Sequence, residues 1–291
     1  MTDIICEKAY AKLNISLDAG RRRPDGYHDM TMVMQTVSLA DEITIVPAES
    51  GPVRAQTNLR YIPTDERNLT VKAAKNFYAA AGMKEESLVI KNSKVIPVGA
   101  GMAGGSADAA AVMRALDRAY PGALTREQLF EAAAATGSDV PFCLAGGTML
   151  AKGRGELLER LPELPDCCIC ICKPSFSIST PELFRKLDEI KLRRHPDTAG
   201  ILAALEAGDL GNICRRMYNV FEDVDDRRLK TAAEIKGKLL DAGAMGAIMT
   251  GTGSAVFGIF TDSRAAETAA ADLRPEYGFA VTAEPVGPLL I

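Results

Sequence analysis

The chain has 291 residues, a formal net charge of −4 and a pI near 5.4. That length suits one large domain or two moderate ones, and the acidic balance argues against nucleic acid as a partner. No apolar run approaches the ~20 residues that a bilayer crossing needs, and no signal-peptide pattern opens the chain, so a cytoplasmic protein without a membrane partner is expected.

Residues 4–17 alternate as a strand, with Ala9, Ala11, Leu13, Ile15 and Leu17 on one face and Tyr10, Lys12, Asn14 and Ser16 on the other. The basic turn Arg21-Arg22-Arg23-Pro24-Asp25-Gly26 follows, with Tyr27-His28 directly after it. Strands are predicted at 30–38, 42–47 and 88–94, with a helix at 68–81 between them. A glycine-rich loop then precedes helical spacing over 108–120, where Ala109, Val112, Met113, Leu116 and Tyr120 recur on one face. A second helix at 125–135 leads to Gly137-Ser138-Asp139-Val140-Pro141-Phe142 and a strand at 146–151.

Glycine and proline interrupt the pattern over 153–165. Beyond them lie a cysteine-rich strand, helices at 181–190, 201–205, 213–218 and 227–242, a strand at 255–260 and a helix at 263–273. The pattern predicts an α+β protein of two domains, 1–155 and 156–291. The cysteine run Cys167-Cys168-Ile169-Cys170-Ile171-Cys172 lacks the Cys-x-x-Cys pairs and nearby histidines of a zinc site, and reads as a buried strand.

The loop Pro97-Val98-Gly99-Ala100-Gly101-Met102-Ala103-Gly104-Gly105-Ser106-Ala107 is the strongest functional signal. Glycines free the backbone N–H groups to close on an anion, and the helix behind them favours phosphate. The dinucleotide fingerprint fits poorly, because another helix stands where a second strand ending in an acidic residue is required. A Walker loop fails as well, since Gly105 occupies the position of its lysine. A phosphate loop of another kind remains.

Three further positions each carry two readings. Lys12 and Asn14 form either an exposed polar face or, in their apolar surroundings, a desolvated cation and its partner for transition-state electrostatics. Tyr27 and His28 are either an ordinary turn-to-strand pair or a ring that stacks on a base with a neighbour that bonds its edge. Asp139 either makes a turn or acts as a general base on an acceptor hydroxyl. Phosphoryl transfer needs mainly positioning and charge neutralisation, so a lysine, an aspartate and an anion loop suffice with Mg²⁺.

Taken together the motifs are more specific. The 97–107 loop resembles the ATP loop of the GHMP kinases, and Thr250-Gly251-Thr252-Gly253-Ser254-Ala255 is similar to their C-terminal glycine motif. Ala11-Lys12-Leu13-Asn14-Ile15, Arg23-Pro24-Asp25-Gly26-Tyr27-His28 and Ser179-Thr180-Pro181-Glu182-Leu183-Phe184 narrow the resemblance to the branch of the non-mevalonate isoprenoid pathway. It implies a ribosomal protein S5 domain 2-like lobe, a ferredoxin-like lobe and an active site in the cleft between them. It also implies transfer of the ATP γ-phosphate to the 2-hydroxyl of a cytidine diphosphate-linked methylerythritol. Lys12 and Asp139 would be catalytic, and Asn14 would hold the acceptor near its diphosphate or erythritol part. Tyr27 and Phe184 would sandwich the cytosine while His28 reads its edge, and residues 97–107 would wrap ATP, with Ser106 available to phosphate or Mg²⁺. The family supplies no protein cage for the metal, and a monomer or weak homodimer is expected. Met34 stands where some relatives place an aromatic beside the substrate. A homoserine- or mevalonate-type acceptor and a non-catalytic ATP sensor are the alternatives.

Overall fold

A computed structural model describes residues 3–290. Near-continuous apolar sequence at the start of the chain makes two long antiparallel strands, β1 (Ile5–Arg22) and β2 (His28–Pro47), which pair from Ile5 opposite Ile45 to Arg22 opposite His28. Pro24-Asp25-Gly26 turns the chain between them, with Gly26 at φ +86°. β2 is continuous where two strands were expected, and register shifts in the pairing near Lys12 and Ser16 let the long ribbon twist without breaking. Lys12, Asn14 and Ser16 are buried, so β1 has no exposed polar face.

β3 (Arg54–Thr57) and α1 (Leu69–Ala80) follow, and the Asn68 side chain caps α1 by accepting the Thr70 N–H at 3.0 Å. β4 (Leu88–Ser93) leads into the glycine loop. α2 (Gly104–Ala119) begins four residues ahead of the predicted start at 108, so the last glycines of the loop form its first turn. α3 (Arg126–Thr136) opens on a capping box between Thr125 and Gln128. The short helix α4 (Val140–Ala145) and the hairpin of β5 (Thr148–Gly153) and β6 (Leu157–Arg160) complete this half.

The second half runs β7 (Cys168–Lys173), α5 (Thr180–Asp188), α6 (Thr198–Glu206) and α7 (Leu210–Arg215), then β8 (Tyr218–Asn219) and α8 (Arg227–Asp241). It ends with β9 (Gly246–Met249), β10 (Val256–Phe260), α9 (Ser263–Tyr277) and β11 (Phe279–Ala283). The helix predicted at 213–218 stops at Arg215, because Tyr218 and Asn219 pair in parallel with Ser16 and Leu17 of β1 instead.

Two sheets result. The first has the order β3-β4-β2-β1-β8, with β5 on β2 and β6 on β5; the second has the order β11-β7-β10-β9. β7 lies between two partners, and Ile169, Cys170, Ile171 and Cys172 are buried on its two faces, as the alternation predicts for a core strand. Burial pushes the Cys170 and Cys172 thiols up to about 12. The first sheet runs on to Arg160, so the expected division at residue 155 falls inside the β5–β6 hairpin. The C-terminal segment also crosses back, bridging Pro285 to Val37 and Pro288 to Gly146.

Candidate active site

The glycine loop is held at three places before any ligand enters. Asp41 on β2 accepts the N–H groups of Val95 and Ile96 at 2.5 and 2.7 Å, which fixes where the loop leaves β4. Its middle lies against the second glycine motif backbone to backbone: Ala255 N–H donates to Ala100 C=O at 3.2 Å, and Thr250 Oγ1–H to Gly101 C=O at 3.3 Å. A Cβ on Gly101 would overlap the Thr250 carbonyl, and one on Gly251 would stand 2.8 Å from the Gly101 oxygen. Gly101 at φ +78° is thus required both by conformation and by this approach.

The loop ends on α2, whose first turn has no side-chain cap. The N–H groups of Gly104, Gly105 and Ser106 precede the first intrahelical bond and sum with the helix dipole into an anion site. Ala107 is an exception to the predicted set. Its N–H is spent on Ala103 C=O at 2.8 Å and its side chain is in the core. Pro97 to Ser106 line one cleft of about 710 Å³.

Lys12 and Asp139 line that same cleft. Asp139 stands at the N-cap position of α4, yet its side chain makes no capping bond. Its carboxylate is therefore not consumed by the turn. Lys12 is buried and lies under the loop, its N–H donating to Met102 C=O at 3.2 Å. Burial holds the Lys12 ammonium below its ordinary range, while Asp139 and the Cys143 thiol pull it back up. Lys12 and Asp139 thus lie within electrostatic reach of each other in one cleft.

Asn14 lies deeper than its place on the strand predicts. It is fully buried, and its Oδ1 accepts from Lys12 Nζ at 2.5 Å and from Gly251 N–H at 3.0 Å. The β-strand alternation put it on the face of Lys12 but said nothing of depth. These bonds orient Lys12 and tie β1 to the second glycine motif.

Tyr27, His28 and Phe184 line the other part of the cleft. His28 is buried, stacks on Phe184 with ring centroids 4.9 Å apart, and pairs its Nε2 with Asp188 Oδ1 at 2.7 Å. Phe221 meets Phe184 edge-on at 4.8 Å. Tyr27 is 53% exposed at the rim. Met34 is fully buried and lies outside the cleft, whose apolar wall includes Met30 and Met32, four and two residues earlier on β2.

Sequence reasoning missed Asp188, Ser177 and Arg154. Ser177 Oγ would lie 2.9 Å from a Cβ on Gly99, and its hydroxyl donates to Val98 C=O at 3.2 Å. None of the three sits in a recognisable motif; the signal for Arg154 was a cation set between two glycines, Gly153-Arg154-Gly155.

Family models agree with this geometry. The GHMP kinases N terminal domain matches residues 68–147 and the GHMP kinases C terminal domain matches 201–278. The 4-diphosphocytidyl-2-C-methyl-D-erythritol kinase of Syntrophomonas wolfei is 44% identical over 93% of this chain and 94% of its own. The chain belongs to the GHMP kinases, in the 4-diphosphocytidyl-2-C-methyl-D-erythritol kinase family.

Membership of this kinase family makes the protein an ATP-dependent phosphotransferase and its two sheets the two lobes of the GHMP kinase fold. A crystal structure of a 4-(cytidine 5'-diphospho)-2C-methyl-D-erythritol kinase superposes with TM-score 0.80 at 33% identity, over 97% of this chain and 100% of that one. A homoserine kinase from Cytophaga hutchinsonii superposes at 0.77 with 20% identity, over 99% of this chain and 96% of that one, and shares the fold alone. GHMP kinases bind ATP as co-substrate, which accords with a phosphate loop that is neither Walker nor Rossmann.

Proposed function

We propose that this kinase transfers the ATP γ-phosphate to the 2-hydroxyl of 4-diphosphocytidyl-2-C-methyl-D-erythritol, a step of non-mevalonate isoprenoid synthesis in the cytoplasm. The observation that carries the reading is one cleft that joins an uncapped helix N-terminus, a Lys–Asp pair and an aromatic wall. The aromatic wall favours a cytosine-bearing acceptor over homoserine or mevalonate, which have no ring to stack.

In this mechanism Asp139 accepts the proton of the acceptor hydroxyl as that oxygen attacks in line. Lys12, desolvated and oriented by Asn14, stabilises charge on the transferring group. The N–H groups at the start of α2 bind the nucleotide phosphates. Among the described residues no group of three or more His, Cys, Asp or Glu side chains is arranged to hold a metal. Mg²⁺ would enter with the nucleotide and would neutralise phosphate charge there. The Ser106 hydroxyl, at the cleft on the first turn of α2, would be available to it or to phosphate.

ADP release measured against an acceptor panel tests the proposal. Turnover is expected with the cytidine-linked methylerythritol and not with homoserine or mevalonate. Turnover with either of the latter, or none with the former by folded protein, would refute it.

A further inference from the structure

The β5–β6 hairpin carries a cation that none of the motifs explains. Its turn reads Gly153-Arg154-Gly155-Glu156, with both glycines at positive φ, +71° and +115°. The tight turn brings the backbone against the reaction centre: a Cβ on Gly155 would lie 3.8 Å from Oδ1 of Asp139 and 3.3 Å from the Met32 methyl. One residue earlier, the Arg154 guanidinium stands 5.2 Å from the centroid of the Tyr27 ring. Arg154 lines the same cleft as Tyr27 and Asp139.

The cleft's other cations are engaged. Lys94 is paired with Asp41 at 2.5 Å and Asp108 at 2.7 Å, Lys12 donates to Asn14, and Arg67 is held by Asp65 at 2.8 Å. Arg154 is looser. Its side chain is 41% exposed and its Nε stands 3.8 Å from Glu156 Oε1. Glu156 Oε2 is turned instead to the Arg154 backbone N–H at 2.6 Å. A guanidinium has five donors in a planar fork that matches phosphate oxygens, and here most remain for a ligand.

We propose that Arg154 is a specificity-determining residue whose guanidinium binds the acceptor's diphosphate and braces the Tyr27 ring. The inference rests on the cytidine diphosphate acceptor proposed above. A molecule whose base meets Tyr27 and whose hydroxyl meets Asp139 carries its diphosphate past the turn that approaches both, where Arg154 stands. A bidentate, charge-assisted contact there recognises the linker, not the base.

Equilibrium binding of cytidine and of cytidine diphosphate to the full chain separates the two. Wild type is expected to bind the diphosphate about tenfold or more tighter than the nucleoside. Arg154→Gln brings that ratio to within about twofold, and Arg154→Lys, which keeps the charge but loses the fork, falls between. In turnover assays the loss in Arg154→Gln falls on KM for the acceptor, while KM for ATP stays at the wild-type value. Because the side chain is exposed, the variant's melting temperature should match wild type, which confirms that the ratio reports binding. Arg154→Gln with the wild-type ratio overturns the inference. Wild type that binds neither compound overturns the acceptor reading beneath it.

Discussion

Asp139 shows how a residue can occupy a structural position without serving it: it stands at the head of α4 and makes no cap bond. Asp139→Asn should therefore fold normally and retain the rise in melting temperature that ATP produces, while turnover falls by roughly 10²–10⁴-fold, the usual worth of a general base. Loss of the ATP-induced shift would show that the residue holds the loop instead. Lys12 loses its proton at a lower pH than an exposed lysine does. Burial lowers its pKa, so the ammonium is lost below the ordinary 10.5 and turnover should decline on the alkaline side before that pH. The same burial opposes folding while Lys12 is charged, and the penalty eases as pH rises through its folded value. Lys12→Met should accordingly melt no lower than wild type and be inactive; a large drop in melting temperature would contradict this. Lys12 stood out in the sequence through its apolar surroundings, whereas Asp139 past a helix end also reads as a turn and was singled out by the resemblance of its motif. Asn14 was legible only in part, since alternation along a strand reports a face and not how deep it lies.

At the level of elements, the two glycine motifs make one device. Gly101→Ala meets the Thr250 backbone, whereas Gly122→Ala, also at positive φ (+77°), has nothing within 4 Å. Strain alone should cost Gly122→Ala about 1–2 kcal/mol. Gly101→Ala adds a backbone clash and should lose about 3 kcal/mol or more, with weaker ATP binding; urea unfolding of the two variants makes the comparison. Equal losses would mean that the interlock of the motifs adds nothing. Behind the loop, burial pushes the Asp108 carboxyl up to about 7, even though Lys94 lies beside it. Its folded pKa exceeds its unfolded one, so its contribution to stability is full below 3.8 and lost as pH rises through about 7. Wild type should therefore lose more melting temperature than Asp108→Asn does as pH rises from about 4 to 7. The helices were largely legible, because caps and 3.6-residue spacing are local. β3, β6, β9 and β11 were not: β3 and β11 pair with strands far away in sequence, and β6 and β9 pair with neighbouring strands but are only four residues long.

The whole molecule is laced together across its two lobes. β8 comes from the second half but pairs with β1, Asn219 bonds the carbonyls of Met249 and Gly251 at 2.8 Å, and the C-terminal segment returns to the first sheet. A single calorimetric transition is expected, shifted upward by ATP in the manner of any native-state ligand; two separable transitions would show independent lobes. These crossings could not be read from sequence, which suggested two lobes with a soft boundary over 152–165. They matter because the cleft is lined from both halves, and its chemistry needs the loop, Lys12, Asp139 and the aromatic wall at one place. The most direct test is ³¹P NMR of the products formed from 4-diphosphocytidyl-2-C-methyl-D-erythritol, ATP and Mg²⁺. A new phosphomonoester on the 2-hydroxyl, stoichiometric with ADP, is the predicted result. Inorganic phosphate alone, or a phosphate on a different hydroxyl, would contradict the account.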